Sequence, residues 1–330
     1  MIAARRRLRE VGDRILDPAT INDLLDGLQP DQRGVLWKLY RASRSRLTAN
    51  EVRFKADLLH MFQATSDDIA QDVNQVFARM GTTEWNLQDA RRLAHDRALF
   101  MQIDDRIGAL SGQMQQSFDE ALLNQYKVAY FDAGYRLDAL TPDSTMIKFG
   151  MVPDQAIVSM LAEPWSGARF SDRLGLISSE MSTTIKHQLI RSMMAEESWS
   201  DAARRIRDQM GTEGQRSVWR AEMIARTELS RAQNLANSKL YDDNSDVIDD
   251  VVWVAHPGAC DVCVANHGQP VSEVGTPPED SHPNCSCDQL AVPKSWGGLA
   301  QTGDGDFSIR PQSRQSWAEM HGLTVDISED

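Results

Sequence analysis

All four cysteines of this 330-residue chain fall between Cys260 and Cys287, as Cys260-Asp-Val-Cys263 and, directly after His282-Pro-Asn284, Cys285-Ser-Cys287. Scattered cysteines would act as small core hydrophobes, whereas two close pairs joined by a loop can set four thiolates around one tetrahedral Zn²⁺. The joining loop carries Pro277-Pro278 and several glycines and has little apolar core of its own. A metal would supply its missing cross-link and contribute folding energy directly. The expected ligands are therefore Cys260, Cys263, Cys285 and Cys287. Cys285 and Cys287 stand closer than the usual two-residue gap, so His282 or His256 is the substitute for one thiolate. A reduced cluster without metal, and disulfides formed in air, are the competing readings.

Strand patterns flank the pairs. Val251-Val252-Trp253-Val254 runs towards Cys260, and Gln289-Leu290-Ala291-Val292 leaves from Cys287. Pairing the two would bring the cysteines together as a hairpin with a knuckle at its open end.

Most of the rest reads as helix. Leu24, Leu25 and Leu28, then Val35, Leu36 and Leu39, then Leu58, Leu59 and Phe62 recur at steps of three and four. Thr65-Ser66-Asp67-Asp68 has the composition of a helix start before Ile69, Val73 and Phe77, with Gly81 closing that helix. From Thr141 to Gly175 prolines and glycines predict a connection. A helix over 182–197 follows, then one capped by Ser198-Trp199-Ser200-Asp201 and ended by Gly211. The helix predicted over 217–241 aligns Val218, Ala221, Ala225, Leu229, Ala232, Ala236 and Leu240 in one stripe, whose four alanines predict a close-packed neighbour, taken to be the hairpin. Glu222 and Arg226, four apart, are expected to pair on its surface.

The expected fold is thus mainly α: a helical region over 1–140, a connecting segment over 141–175, a small α+β module with a Cys-rich, zinc-stapled β-hairpin over 176–292, and an acidic, flexible tail over 293–330. A chain of this length exceeds one comfortable core, which favours more than one domain.

Charge narrows the function classes. The net charge is −13. Residues 241–330 carry 16 acidic against three basic side chains, so the whole imbalance lies there. Such a module is a poor candidate for wrapping nucleic acid. Arg5, Arg6, Arg7 and Arg9 offer a basic cluster that could touch DNA or a partner, against a solvated, poorly ordered start. Lys186, Arg191, Arg204, Arg205 and Arg207 form a second patch, diluted by neighbouring acids. The arginine-rich start has no apolar stretch of signal-peptide length behind it. The expectation is synthesis in a reducing cytoplasm without membrane insertion.

The order of these elements resembles the head-morphogenesis domain of the Mu F-like minor head proteins of tailed bacteriophages. The resemblance rests on Ile224-Ala-Arg226-Thr227-Glu228, then Ala232, Asn234, Ala236 and Asn237, then Trp253, the Cys260/Cys263 pair, Pro277-Pro278 and His282-Pro283-Asn284-Cys285-Ser-Cys287. Upstream, Pro164-Trp165-Ser-Gly167 and Phe170-Ser-Asp-Arg173 extend it, so that it covers residues 160–292. Family members often carry a shorter segment between the cysteine pairs, with Asp-Gly after the second cysteine, where Asn266-His267-Gly268 stands here.

The resemblance implies a low-copy head component at the portal vertex, made in the host cytoplasm and housed inside the virion head. It would assist head assembly, DNA packaging or DNA delivery, with the portal protein, packaged double-stranded DNA and the major capsid protein as partners. It implies no enzymatic chemistry, and Arg226, Thr227, Glu228, Trp253, Pro283 and Asn284 become structural motif residues. On this division residues 1–160 carry the partner contacts and residues 180–292 form the folded module. Two alternatives remain from the residues alone. A zinc-knuckle nuclease would need a metal-binding histidine on a helix after the knuckle, and no helix-forming segment is evident after Cys287. A toxin-like effector would use Arg226 and Glu228 together, yet residues two apart on a helix diverge.

Overall fold

The computed structural model describes residues 30–80, 97–141, 146–164, 168–194, 199–256, 258–294 and 314–321. The Arg5–Arg9 cluster lies outside them. The described elements are α1 (Pro30–Met80), α2 (Arg97–Leu140), α3 (Asp154–Leu161), α4 (Phe170–Met194), α5 (Trp199–Asp243), β1 (Ile248–Val254), α6 (Asp261–Ala265), α7 (Val271–Val274), β2 (Asp288–Pro293) and α8 (Arg314–Met320). Among the described residues the protein is mainly helical, with one two-stranded antiparallel sheet beside the cysteines. Among the described residues no helix is long and apolar enough to cross a membrane.

The helices are longer than local punctuation predicts. In α1 Leu36, Tyr40, Ser43, Leu47, Phe54, Leu58, Phe62, Thr65, Ile69 and Val73 are all buried, recurring at three, four and seven residues. Thr65 occupies a stripe position, so Thr65-Ser66-Asp67-Asp68 continues the helix instead of starting one. A sustained apolar stripe outweighs capping preferences, which are worth only ~1 kcal/mol. The same argument extends α5 through Gly211, because an interior glycine costs about 1 kcal/mol, less than its buried half returns. Helix α4 likewise begins at Phe170 and not at Ser182, with Phe170, Leu174, Ile177, Met181, Ile185 and Leu189 buried along one face. The expected connection over 141–175 therefore contains α3 and the first turns of α4.

By compactness the chain groups into two units that interleave along the sequence. Unit 1 comprises Met1–Asn50, Ala121–Glu163 and Arg226–Asp330, and unit 2 comprises Glu51–Glu120 and Pro164–Ala225. In unit 2 Phe118 meets Phe54 and Phe170, each at 4.0 Å between ring centroids. Its polar surface is tied by Arg106 to Asp68 and Asp72, Arg220 to Glu180, and Lys55 to Glu222. Glu222 thus takes Lys55, while Arg226 reaches the knuckle described below. Of the second basic patch, Lys186 pairs with Asp104 at 2.5 Å and Arg204 with Asp201.

Unit 1 holds the sheet. β1 and β2 pair with Val252 opposite Leu290 and Trp253 opposite Gln289, the pairing expected from the sequence. Strand alternation sends Val252, Val254, Leu290 and Val292 to one face, where they pack on Leu36, Trp37 and Tyr40 of α1 and Leu140 of α2. The hairpin thus shares its core with residues well outside 180–292.

Helix α8 is docked on the same unit. Trp317 is 1% exposed, meets Phe131 and Phe149 edge-on at 5.0 and 4.8 Å, and donates its Nε1–H to Asp138 at 3.0 Å. Arg314 and Arg46 both bind the buried Asp132 carboxylate, each at 2.5 Å. The stretch expected to be a flexible tail therefore contains a packed helix, anchored by one aromatic side chain and one shared carboxylate.

Candidate metal centre

The second face of the hairpin builds the centre. Trp253 points away from the α1 side and lies with Ala255, Cys263, Cys285 and Cys287 in one fully buried cluster. After β1 the chain turns at Cys260 into the short helix α6, and the Val264 N–H closes that turn on the Cys260 carbonyl at 2.9 Å. Cys263 faces inward from α6, while Cys260 is exposed. On the other side Asn284 adopts a left-handed conformation (φ 66°), a geometry asparagine tolerates better than most residues. The chain thereby reverses between His282 and Cys285, whose N–H bonds to the His282 carbonyl at 3.2 Å.

These two turns bring five donors together. The atoms of Cys260, Cys263 and His282 lie within 4.8 Å of one another, as do those of Cys263, Cys285 and Cys287. His282 Nε2 is 3.2 Å from Cys260 Sγ and 3.4 Å from Cys263 Sγ, and Cys263 Sγ is 3.9 Å from Cys285 Sγ. A tetrahedral zinc-type site has S···N edges of about 3.5 Å and S···S edges of about 3.8 Å, so these separations fit the donor spacing of such a site. All four cysteines are free thiols. The imidazole that joins them is His282, whereas His256 meets the cluster through its backbone N–H, 3.5 Å from Cys287 Sγ.

The electrostatics favour thiolate character at Cys285 and Cys260 and the protonated thiol at Cys263 and Cys287. S–H groups of Cys263 and Cys287 turned towards Cys285 hold its thiol far below the ordinary cysteine range. Cys263 moves the opposite way, because its proton is held by those same neighbours. The Pro283 carbonyl, with the nearby thiolates adding to it, raises His282.

Helix α5 carries this assembly on a polar stripe that the alanines do not share. Arg226 binds Ser286 Oγ at 2.9 Å. Thr227 Oγ1 accepts the Asn284 N–H at 2.7 Å. Ser230 Oγ and Asn234 Nδ2 donate to the Cys287 carbonyl at 3.2 and 3.0 Å. Gln233 and Asn237 donate to the two oxygens of Asp288, whose carboxyl burial pushes above the usual range. Gln289 returns the contact, donating to the Asn234 carbonyl at 2.6 Å and to Ser238 Oγ at 2.5 Å. Glu228 and Arg231, both buried, pair at 3.7 Å, and Arg231 continues to Glu279 at 3.2 Å and to the Leu161 carbonyl at the end of α3.

The knuckle therefore docks on polar side chains, while Ala221, Ala225, Leu229, Ala232, Ala236 and Leu240 are buried on the other side of the helix. The alanine stripe is not the hairpin's seat. Ser230, Gln233, Ser238 and Ser286 were not singled out from the sequence, although polar residues recurring every three to four positions opposite an apolar stripe are the signal that marks them. Arg226 and Glu228 serve different partners, as helix geometry requires. A helix does follow Cys287, but His321 just after α8 packs at a tilt on Trp317, with ring centroids 4.2 Å apart, away from the cysteines.

Comparison with family models, with curated proteins and with solved structures returned no match.

Proposed function

We propose that the chain is a minor head protein of a tailed bacteriophage, placed at the portal vertex inside the head, and that its Cys/His cluster holds one structural Zn²⁺. The observation that carries this reading is the convergence of the motif residues. Arg226, Thr227 and Glu228 on α5, Trp253 on β1, and Pro283 and Asn284 in the second turn all hold or flank the same knuckle. Residues set out this way brace a module rather than line a cleft. His267 accepts the Ala255 N–H through Nδ1, and His282 is engaged by the thiols and Pro283, so both histidines have local structural tasks. The protein then acts by position and not by turnover. The knuckle's two turns are bridged by their sulfur and imidazole donors, so a bound metal would clamp one to the other.

On this reading the portal protein is the principal partner, with packaged DNA and the major capsid protein as further contacts. Any contact with DNA runs through Arg5, Arg6, Arg7 and Arg9, because the acidic C-terminal quarter repels phosphate. Co-expression with the cognate portal tests the assignment: the protein should co-purify with the portal ring and be present in assembled heads. Heads that assemble, package and infect normally without it would refute the assignment. DNA cleavage or group-transfer activity lost on changing His267 or Glu228 would favour the enzymatic alternatives. Elemental analysis under reducing conditions should find one zinc per chain, lost in Cys263→Ser.

A further inference from the structure

Five donors fall into two trios that share Cys263, a tetrahedral metal takes four of them, and the backbone distinguishes among them. Cys260 and Cys263 stand three apart across a turn closed by a backbone hydrogen bond of 2.9 Å from Val264 to Cys260. His282 and Cys285 stand three apart across a second closed turn, from Cys285 to His282 at 3.2 Å, pinned from α5 through Thr227 at 2.7 Å. Cys287 lies beyond both turns, at the entrance to β2. Its carbonyl is held by Ser230 and Asn234, and its sulfur accepts the His256 N–H.

The tautomer of His282 adds the deciding observation. Its Nδ1 is 2.8 Å from the Pro283 carbonyl, which can only accept, so the proton sits on Nδ1. In the neutral ring that a metal selects, the lone pair of Nε2 is then left facing Cys260 and Cys263. A metal-binding imidazole is oriented in this way, by a carbonyl on its other nitrogen.

We infer that the metal is bound by Cys260, Cys263, His282 and Cys285, with Cys287 a positioning thiol that anchors the second turn to β1 and α5. This rests on the reading that a metal is bound at all. Three thiolates and a neutral imidazole around a divalent ion leave a net charge of about −1, against about −2 for four thiolates. The smaller charge is easier to hold in a module already rich in carboxylates.

The test uses the full chain purified under reducing conditions, with metal content measured and zinc replaced by Co²⁺ for its absorption spectrum. Wild type should bind one metal per chain with the spectrum of three sulfur ligands and one nitrogen ligand. Cys287→Ser should keep both the stoichiometry and the spectrum. His282→Ala should lose at least tenfold in affinity, and His282→Cys should restore binding with stronger thiolate-to-cobalt absorption as three sulfur ligands become four. A wild-type spectrum of four sulfurs, or loss of the metal in Cys287→Ser with retention in His282→Ala, would overturn the ligand set while leaving the metal centre intact. Absence of metal from the wild type would overturn both.

Discussion

Alanine at Gly134 tests whether α8 is seated as described. Gly134 lies in the buried part of α2, and a Cβ there would stand 2.6 and 2.7 Å from two ring carbons of Phe149 and 3.0 Å from Trp317 Cη2. Ordinary carbon contacts are about 3.5–4.0 Å, so the Phe149 ring must retreat by about 1 Å. It has little room, since Tyr130, Trp317 and His321 surround it with ring centroids at 5.1, 4.8 and 5.1 Å. Overpacking of this kind costs ~1–3 kcal/mol, against a helix-propensity gain of ~1 kcal/mol for replacing glycine. Gly134→Ala should therefore lie between neutral and about 2 kcal/mol destabilising. Gly108 in the same helix has nothing within 4 Å of the new methyl group. Gly108→Ala should accordingly stabilise by ~0.4–1 kcal/mol. The gap of ~1–3 kcal/mol between the two variants, each measured against wild type by urea titration, isolates the ring contact from the backbone effect. Equal stabilisation by both substitutions would show that Phe149 and Trp317 do not close over Gly134.

Three further expectations follow from other parts of the molecule. Thr227→Val keeps the side-chain volume but removes the acceptor of the Asn284 N–H, and should lower stability by ~1–3 kcal/mol in chemical denaturation; an unchanged midpoint would remove Thr227 from the support of the second turn. Burial depresses His267 below its ordinary 6.5. Its contribution is therefore fully present above pH 6.5 and is lost as the pH falls below that value, with a slope of at most ~1.4 kcal/mol per pH unit; His267→Gln should flatten that part of the stability profile, and an unaltered profile would refute the assignment. A fragment spanning 161–294 lacks Leu36, Trp37, Tyr40 and Leu140 from beneath the sheet and should show no cooperative thermal transition even with zinc supplied; a sharp transition would show that the module folds alone.

How far the sequence could be read depended on whether the signal was local. The hairpin was legible because β-branched and aromatic residues bracket the cysteines, and the pairing of Val251–Val254 with Gln289–Val292 follows from that pattern. The candidate metal centre was legible as a cluster of donors, with His282 already named as the substitute for one thiolate. Helix borders were misread wherever short-range punctuation competed with a long stripe, as at Thr65-Ser66-Asp67-Asp68 and Gly211. The docking face of α5 was misassigned because two stripes share that helix. Alanines advertise close packing, whereas Ser230, Gln233 and Asn237 reveal their purpose only when carbonyls and carboxylates from β2 arrive opposite them. Nothing in the spacing of α1 foretold that Leu36, Trp37 and Tyr40 would lie under strands more than two hundred positions later. That pairing is tertiary, and it ties the expected module to the start of the described chain.

Two strands ordinarily present two open rims on which a further strand can be added. Here the approach to β2 is engaged, where Ser230 and Asn234 fill the carbonyl of the preceding Cys287 and the Gln289 side chain reaches back to α5. The rim of β1 is occupied where Trp253 exchanges backbone hydrogen bonds with Gln269 and Gly268, at 2.9 and 2.8 Å, and Val252 bridges to Pro270. Extending the sheet would mean breaking those contacts first, which discourages edge-to-edge self-association. A strand added at these positions would have to displace contacts that the fold already makes.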